Sequence, residues 1–195
     1  MSDDEWHTVS ISRIETVSEG HFPLRRVTFD QVRRNGAHQE LRREVYCIGE
    51  GAALLPVDHH CGTVLLVRQI RISARLNGDT PLLIEACAGN VGVGEEPVET
   101  ARREAKEEMG CVVHNLREIF SLYVCPGATT ERAHLFVAEY DSKMRTSQGG
   151  GVPEEGEEIE TLELPLERAW AMVLSGEIAD AKTVLLLQHL RLDEA

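Results

Sequence analysis

The chain has 195 residues, of which 42% are hydrophobic and 27% charged, a balance typical of a globular protein and not of a disordered one. Its 33 acidic and 20 basic residues give a net charge of −13, without the basic excess of proteins that bind nucleic acids. No apolar run approaches the roughly 18 residues of a membrane span, and the first residues, MSDDEWHTVS, do not resemble a secretion signal. We therefore expect a cytoplasmic protein that binds neither nucleic acid nor membrane.

The cysteines and two neighbouring histidines lack the spacing of a disulfide framework or a zinc site. The five cysteines are an odd number, are widely scattered and include no Cys-x-x-Cys pair, so we expect free thiols. They are Cys47, Cys61, Cys87, Cys111 and Cys125. His59 and His60 have no third ligand at metal spacing, which favours exposed loop residues.

The first fifty residues alternate apolar and polar side chains, which is the periodicity of β-strands. Asn35-Gly36 separates two such runs and is typical of a hairpin turn, because both residues tolerate positive φ. We predict a small antiparallel sheet over residues 6–48. Two further strands are predicted over 52–57 and 63–72, joined by the turn DHHCGT.

Strands and helices are then mixed along the rest of the chain. Pro97 is expected to begin a helix and Gly110 to end it. The stretch SQGGGVPEEGEE is the clearest loop, because it is rich in glycine and acidic residues. Strands are predicted over 82–89, 112–124, 132–140 and 159–165, and further helices over 166–175 and 179–192. This mixture of strands with three helices indicates an α/β sandwich.

Residues 89–111, GNVGVGEEPVETARREAKEEMGC, match the pattern G-x5-E-x7-R-E-U-x-E-E-x-G-U, in which U is an apolar residue. All seven fixed positions are filled, by Gly89, Glu95, Arg103, Glu104, Glu107, Glu108 and Gly110. At roughly one in fifteen per position for average residue usage, seven matches arise by chance about once in 10⁸ windows. The match is therefore specific.

The spacing of the glutamates indicates a site for metal ions. Glu104 and Glu108 are four residues apart on the predicted helix, so both carboxylates project from one face, with Glu107 beside them. Crowding like charges costs stability, whereas Mg²⁺ binds carboxylate oxygens and bridges them to substrate phosphates. REAKEE alone would be typical of a solvated amphipathic helix, but the glycine-led approach after a buried strand favours the metal site. Arg103 can pair with Glu99 or Glu107 and hold the cluster in place.

The matched pattern is the signature of the Nudix hydrolase superfamily, and the chain from about residue 20 to residue 190 resembles its GDP-mannose hydrolase branch, a neighbour of the ADP-ribose pyrophosphatases. The segments that carry the resemblance are RREVY (42–46), VRQIR (67–71), LIEACAG (83–89), PGATTER (126–132), GGGVPEEGEEIETLELP (149–165) and GEIADAKTVLLL (176–187). The resemblance implies a Nudix α/β/α sandwich over residues 50–195. A small N-terminal antiparallel β subdomain over residues 1–49 would precede it and pair across a homodimer.

The resemblance also implies the metal ligands and the catalytic base. The carbonyl of Ala88 and the carboxylates of Glu104 and Glu108 would hold Mg²⁺, with Mn²⁺ as the alternative ion. The acidic loop would supply a further ligand and the base. The loop is longer than that of the family, so its alignment leaves Glu154, Glu155, Glu157 and Glu158 open. Counting back from IETLELP favours Glu157, with Glu158 next. Glu107 is the alternative base.

Substrate contacts are implied in both parts of the chain, at His21, Arg42, Arg43, Glu44, Arg71, Gly89, Asn90, Glu131 and Lys182. Structural roles within the signature are implied for Glu95, Arg103 and Gly110. Alternatively, Arg42 and Arg43 would be exposed strand residues, and Arg71 a structural ion-pair partner. Lys182 at the start of a helix opposes the helix dipole, which favours a functional role. Ala128 replaces a family glycine, which weakens the neighbouring sugar contact.

The implied reaction is attack of water on the diphosphate of a nucleotide sugar, with GDP-mannose giving GMP and mannose 1-phosphate. Metal ions would neutralise phosphate oxygens while a glutamate removes a proton from water. ADP-ribose hydrolysis is the alternative among enzymes, because it needs the same chemistry. A non-catalytic Nudix-fold nucleotide sensor is the alternative from another class, although such proteins usually have a damaged signature. A purely structural acidic protein would leave the signature unexplained.

Overall fold

A computed structural model describes residues 8–141, 143 and 145–193 of the chain. Residues 6 and 7, at the start of the predicted sheet, lie outside the described residues. The fold forms two compact units, of which the first contains the described residues up to Gly49 together with Tyr123–Arg132. The second contains Glu50–Leu122 and the described residues from Ala133 onward. The domain boundary at residue 50 stays a prediction, because compactness does not show that either unit acts separately.

The first unit is built on an antiparallel sheet with the strand order β1-β2-β3, as predicted. The strands are β1 (Val9–Glu19), β2 (Pro23–Val32) and β3 (His38–Tyr46). The hairpin between β2 and β3 is confirmed, but its loop spans five residues, 33–37, and only Gly36 has a positive φ, of 79°. Asn35 instead uses its side-chain oxygen to accept a hydrogen bond from the main-chain N–H of Ala37, at 3.1 Å. Asn35 therefore stabilises the turn through its side chain, and only Gly36 adopts the left-handed conformation.

One face of this sheet carries most of its apolar side chains. The pairing register places Val9, Ile11, Ile14, Val27, Phe29, Leu41 and Val45 on that face, together with Arg25, Gln31, Gln39 and Arg43. Val9, Ile11 and Ile14 are more than half exposed. Among the described residues of this unit, Thr28 is the only one that is buried, with 6% of its surface exposed. The sheet therefore has no hydrophobic core of its own.

The second unit contains a seven-stranded sheet in the order β10-β5-β4-β9-β8, with β6 paired to β5 and β7 paired to β4. Its strands are β4 (Glu50–Asp58), β5 (Thr63–Ile70), β6 (Leu82–Glu85), β7 (Cys87–Asn90), β8 (His114–Tyr123), β9 (Arg132–Glu139) and β10 (Glu160–Pro165). The helices are α1 (Ile72–Leu76), α2 (Pro97–Met109), α3 (Leu166–Ser175) and α4 (Ala181–Asp193), with a short 3₁₀ helix over Pro153–Glu155. Tyr123, the last residue of β8, and Arg132, the first residue of β9, are grouped with the first unit.

Helices cover both faces of this sheet. Leu66 of β5 packs into a core with α3 and α4, whereas its neighbour Leu65 packs into a second core with α2. Successive strand residues point to opposite faces, so the run VLLV is buried on both sides and lacks polar alternation. The predicted α/β/α sandwich is therefore confirmed.

The predicted strand over 82–89 is broken at Ala86 into β6 and β7. β4 and β5 pair directly only at Val57–Asp58 with Thr63–Val64 and then diverge, and β6 and β7 fill the space between them. At the break, the main-chain N–H of Ala86 donates to the side-chain hydroxyl of Thr183, on α4, at 2.7 Å. Ala86 has no strand partner for its buried N–H group, and the hydroxyl supplies the acceptor that this group needs.

Smaller differences from the predicted elements lie at chain turns. The strand predicted to residue 72 ends at Ile70, and the short helix α1, which was not predicted, follows it. His59 and His60 are exposed in the turn after β4, and the five cysteines are free thiols. Within the described ranges, no helix combines the length and apolar character needed to cross a membrane.

Candidate active site

The helix α2 carries the carboxylates of the signature. Pro97 occupies its first turn, where the missing N–H costs no hydrogen bond. Gly110 ends it in the left-handed conformation, with φ 63°. A Cβ at Gly110 would lie 2.4 Å from the carbonyl oxygen of Ser147, so glycine is required for space as well as for conformation.

Of the four glutamates on α2, Glu104 and Glu108 are buried. Glu108 is 1% exposed and Glu104 is 8% exposed, whereas Glu107 is half-buried. Burial raises the pKa of Glu108 to about 8, and the charges of Glu104 and Glu157 add to the shift. Burial also raises the pKa of Glu104, although Arg103 opposes it. Burying two carboxylates without a cation for each of them destabilises the fold. Carboxyl groups whose pKa is raised in this way cluster at functional sites.

Arg103 binds three carboxylates. Its Nη1 donates to Oε1 of Glu104 at 2.7 Å and to Oε2 of Glu107 at 2.8 Å, and its Nε donates to Oε1 of Glu95 at 3.2 Å. The bond from Arg103, together with the N–H of Gly92, lowers the pKa of Glu95 to about 2. Of the two partners that spacing allowed for Arg103, the structure shows Glu107. Arg103 therefore fixes the orientation of the Glu104 and Glu107 carboxylates.

β7 lies directly against these carboxylates. The main-chain N–H of Ala88 donates to Oε2 of Glu108 at 3.2 Å. A Cβ at Gly89 would lie 1.8 Å from Oε1 of Glu104, a distance that no side chain can accept. Glycine at this position therefore lets the strand approach the carboxylate of Glu104.

The acidic loop brings one further glutamate to the same place. Glu157 is half-buried, and its Oε2 accepts a hydrogen bond from the N–H of Val152 at 2.8 Å. Its charge contributes to the raised pKa values of Glu104 and Glu108. Glu154 and Glu158 are exposed. Among the loop glutamates whose side chains are described, Glu157 is the one whose charge reaches Glu104 and Glu108. Its role as ligand or base stays a prediction.

The residues at this site fit a divalent cation by the chemistry of their donors. Carboxylate and carbonyl oxygens from Glu104, Glu108, Glu157 and Ala88 are the hard ligands that Mg²⁺ and Mn²⁺ take. In the described part of the chain, no three His, Cys, Asp or Glu side chains converge as a ready-made metal cage. Mg²⁺ does not need one, because it keeps several waters and is commonly bound by one or two carboxylates together with substrate phosphates.

Two predicted substrate contacts in the second unit already have acidic partners. The guanidinium of Arg71 lies 2.8 Å from Oε2 of Glu85, which is 4% exposed. Nζ of Lys182 lies 2.7 Å from Oδ1 of Asp180. Asp180 also accepts hydrogen bonds from the N–H and the hydroxyl of Thr183, so it caps α4 and offsets the unfavourable placement of Lys182. Substrate binding by Arg71 and Lys182 stays a prediction.

Several other predicted substrate contacts lie in the first unit. Arg42, Arg43 and Glu44 line a shallow cavity of about 230 Å³ with Arg26, whose Nη2 lies 2.7 Å from Oε1 of Glu44. His21 is exposed and stacks edge-on against Phe22, while Glu131 is half-buried. Asn90, in the second unit, is exposed at the end of β7. The roles of these residues stay predictions.

Sequence reasoning did not identify several residues that shape the site. Glu85 and Thr183 lie inside segments that carry the family resemblance, but their partners are distant in sequence. The glycines of 149–151 were interpreted only as a loop. All three have positive φ, which a run of three glycines could have indicated.

Comparison with known proteins identifies the family. The NUDIX domain matches residues 49–187, and the GDP-mannose pyrophosphatase NudK N-terminal domain matches residues 8–46. The first match spans more than half of the chain, and the chain therefore belongs to the Nudix family. This confirms the predicted family and the prediction of a Nudix pyrophosphatase.

Relatives from several enterobacteria are similar along nearly the whole chain. A GDP-mannose pyrophosphatase of Salmonella paratyphi B is 48% identical over 185 residues, which cover 94% of this chain and 95% of the relative. GDP-mannose pyrophosphatases of Cronobacter sakazakii and Citrobacter koseri are 46% and 44% identical, over 94% and 93% of this chain. Both units are therefore shared with these relatives.

A solved structure with the same fold is an ADP compounds hydrolase. It superposes with a TM-score of 0.73, covering 94% of this chain and 92% of its own, at 21% sequence identity. At this identity the similarity concerns the fold.

Proposed function

We propose that the protein hydrolyses the diphosphate bond of a nucleotide sugar, with GDP-mannose giving GMP and mannose 1-phosphate. The observation that carries the proposal is the 48% identity to a GDP-mannose pyrophosphatase over 94% of this chain. The buried carboxylates of α2, the close approach of β7 and the adjacent Glu157 support the chemistry. A sensor without turnover would have no reason to keep this costly cluster.

A divalent metal ion would be held by Glu104, Glu108, Glu157 and the carbonyl of Ala88. When bound, it would neutralise phosphate oxygens and make a bound water more acidic. The protein's part is to place these oxygens on rigid elements. Arg103 holds Glu104, and the N–H of Ala88 holds Glu108. Because Gly89 has no side chain, β7 lies close to the carboxylate of Glu104, which leaves room for substrate phosphates to approach the metal ligands.

Glu157 is the proposed general base. One of its oxygens, Oε2, is bound by the N–H of Val152, which leaves Oε1 to accept a proton from the attacking water. Glu107 is the alternative base, but its Oε2 accepts from Arg103. The guanidinium competes for that carboxylate, so the geometry favours Glu157.

Selectivity has to come from contacts beyond the diphosphate. The cavity at Arg26, Arg42, Arg43 and Glu44 offers guanidinium donors and a carboxylate acceptor. A site built on such groups discriminates strongly against a substrate that leaves them unpaired. We propose that this cluster and Glu131 contact the base or sugar.

The substrate proposal predicts a higher kcat/KM for GDP-mannose than for ADP-ribose. Both compounds would be assayed at one Mg²⁺ concentration, with products separated by chromatography and Mn²⁺ as a parallel series. We expect a difference of at least about tenfold, because polar groups of the site would pair only with the correct base and sugar. A tenfold preference for ADP-ribose would contradict the substrate proposal and leave diphosphate hydrolysis intact. Absence of turnover on both compounds would instead favour the sensor.

We further propose that the protein is a homodimer in which a second copy covers the apolar face of the N-terminal sheet. Three strands with an apolar face and no core need such a cover. Replacing Ile11 and Ile14 together by lysine should produce a monomer in light scattering and lower activity. Ser10→Lys, on the opposite face of β1, is the matched control and should stay dimeric. A wild-type protein that is monomeric and fully active at all concentrations would contradict this proposal.

A further inference from the structure

The last turn of α2 requires external hydrogen-bond donors. The final carbonyls of a helix have no partners within the helix. The carbonyl of Glu108 accepts from the N–H of Gly150 at 2.9 Å, and that of Glu107 accepts from the N–H of Gly151 at 3.1 Å. A Cβ at Gly149 would lie 2.3 Å from the carbonyl oxygen of Glu108. The glycine-rich segment therefore lies directly on the end of the carboxylate-bearing helix.

The other side of the same segment faces Glu157. A Cβ at Gly151 would lie 2.7 Å from both Cβ and Oε2 of Glu157. The next residue, Val152, donates its N–H to Oε2 of Glu157. Two consecutive residues thus fix the position of Glu157 by contact and by a hydrogen bond. Only a residue without a side chain can occupy position 151 while Glu157 keeps this place.

We propose that the segment 149–152 is a main-chain clamp that holds Glu157 in fixed register with Glu107 and Glu108, so that Gly151 and Val152 are positioning residues for the reaction. This inference rests on the proposed function, because it assigns Glu157 to the active site. The clamp acts through one peptide segment that binds the end of α2 on one side and Glu157 on the other. Displacing Glu157 should therefore impair proton removal in the chemical step, whereas Glu104, Glu108 and the carbonyl of Ala88 remain to hold the metal ion and, through it, the substrate.

Gly151→Ala and Gly156→Ala form a matched pair. Both glycines lie in the same loop with nearly equal φ, 81° and 78°, but a Cβ at Gly156 meets no atom within 4 Å. Both positions have a left-handed φ that strains an L-residue, but only the Cβ of Gly151→Ala meets Glu157, together with a contact of 3.0 Å to Cδ1 of Ile159. We expect Gly151→Ala to lower kcat by about 100-fold, the effect of a small misplacement of a reacting group. Its KM should stay within about threefold of the wild type, and Gly156→Ala should keep wild-type kcat.

A third variant, Glu157→Gln, separates the failure of this inference from the failure of the proposed function. Normal turnover by Glu157→Gln would contradict the catalytic assignment itself. An inactive Glu157→Gln together with a Gly151→Ala as active as Gly156→Ala would contradict the clamp. If the clamp acts through Glu157, Gly151→Ala should cost little further activity in the Glu157→Gln background.

Residue-resolved hydrogen exchange tests the clamp even if Gly151→Ala does not fold. In the wild type, the amides of Gly150, Gly151 and Val152 should be protected. Glu157→Ala should accelerate exchange at Val152 and leave Gly150 and Gly151 protected. Unprotected exchange at Val152 in the wild type would overturn the proposal.

Discussion

Replacing Glu108 or Glu104 by glutamine should lower kcat by about 10³-fold, since a metal ion contributes several kcal/mol and each factor of ten corresponds to about 1.4 kcal/mol. An amide keeps the size of the side chain but removes the charge that binds a cation. The free energy of unfolding should not fall, because each change replaces a carboxyl group whose burial raises its pKa and disfavours its charged form. Steady-state assays over a range of Mg²⁺ concentrations, with urea unfolding of the same samples, measure both effects.

Glu99→Gln is the matched control for this pair. Glu99 lies on the same helix but is exposed, and Oε1 of Glu99 lies 3.7 Å from Nε of Arg102. An exposed pair of this kind contributes little, so activity and stability should stay close to the wild type. Near-normal turnover in both Glu104→Gln and Glu108→Gln would disprove the metal assignment.

Gly89→Ala should lower kcat by about 100-fold or more, because a group displaced by an ångström loses about that much rate. The added Cβ would lie 1.8 Å from Oε1 of Glu104, so either the carboxylate or β7 must move. Movement of either one changes the distance between the carbonyl oxygen of Ala88 and the carboxylate of Glu104. The variant should also bind Mg²⁺ more weakly, which calorimetry would measure without turnover.

Gly51→Ala provides the comparison on the adjacent strand. Gly51 pairs with Asn90, and a Cβ there would lie 3.5 Å from the carbonyl oxygen of Gly89, an ordinary contact. Activity should therefore be retained. If Gly89→Ala and Gly51→Ala were equally active, the close approach of β7 to Glu104 would have no part in the reaction.

The elements with strong local signals were predictable from sequence. The bounds of α2 followed from Pro97 and Gly110, whose conformational constraints act within one turn of the helix. The break between β6 and β7 was not predictable, because its cause is Thr183, which lies 97 residues from Ala86. Periodicity within LLIEACAG cannot reveal a hydroxyl from another helix.

The site shows the same division between local and distant causes. The glutamates of α2 were found from their spacing, which places them on one face of any helix. The partners of Arg71 and Lys182 depend on tertiary structure, and Glu85 and Asp180 carried no signal of their own. Glu157 was selected by counting back from IETLELP, whereas the main chain of residues 151 and 152 holds it in position.

The bond from Ala86 to Thr183 also bears on the order in which the protein can form during synthesis. The strand that carries Ala88 and Gly89 leaves the ribosome long before α4 does. The pairs between β5 and β10 run from Arg68 with Glu160, 92 residues apart, to Thr63 with Pro165, 102 residues apart. Local helices can form early, but contacts that close long loops must wait for both ends of the chain segment. We therefore expect the main-chain geometry at Ala86 to be established only when α4 has been made. Until then the nascent chain carries the glutamates of α2 without the strand geometry that they require.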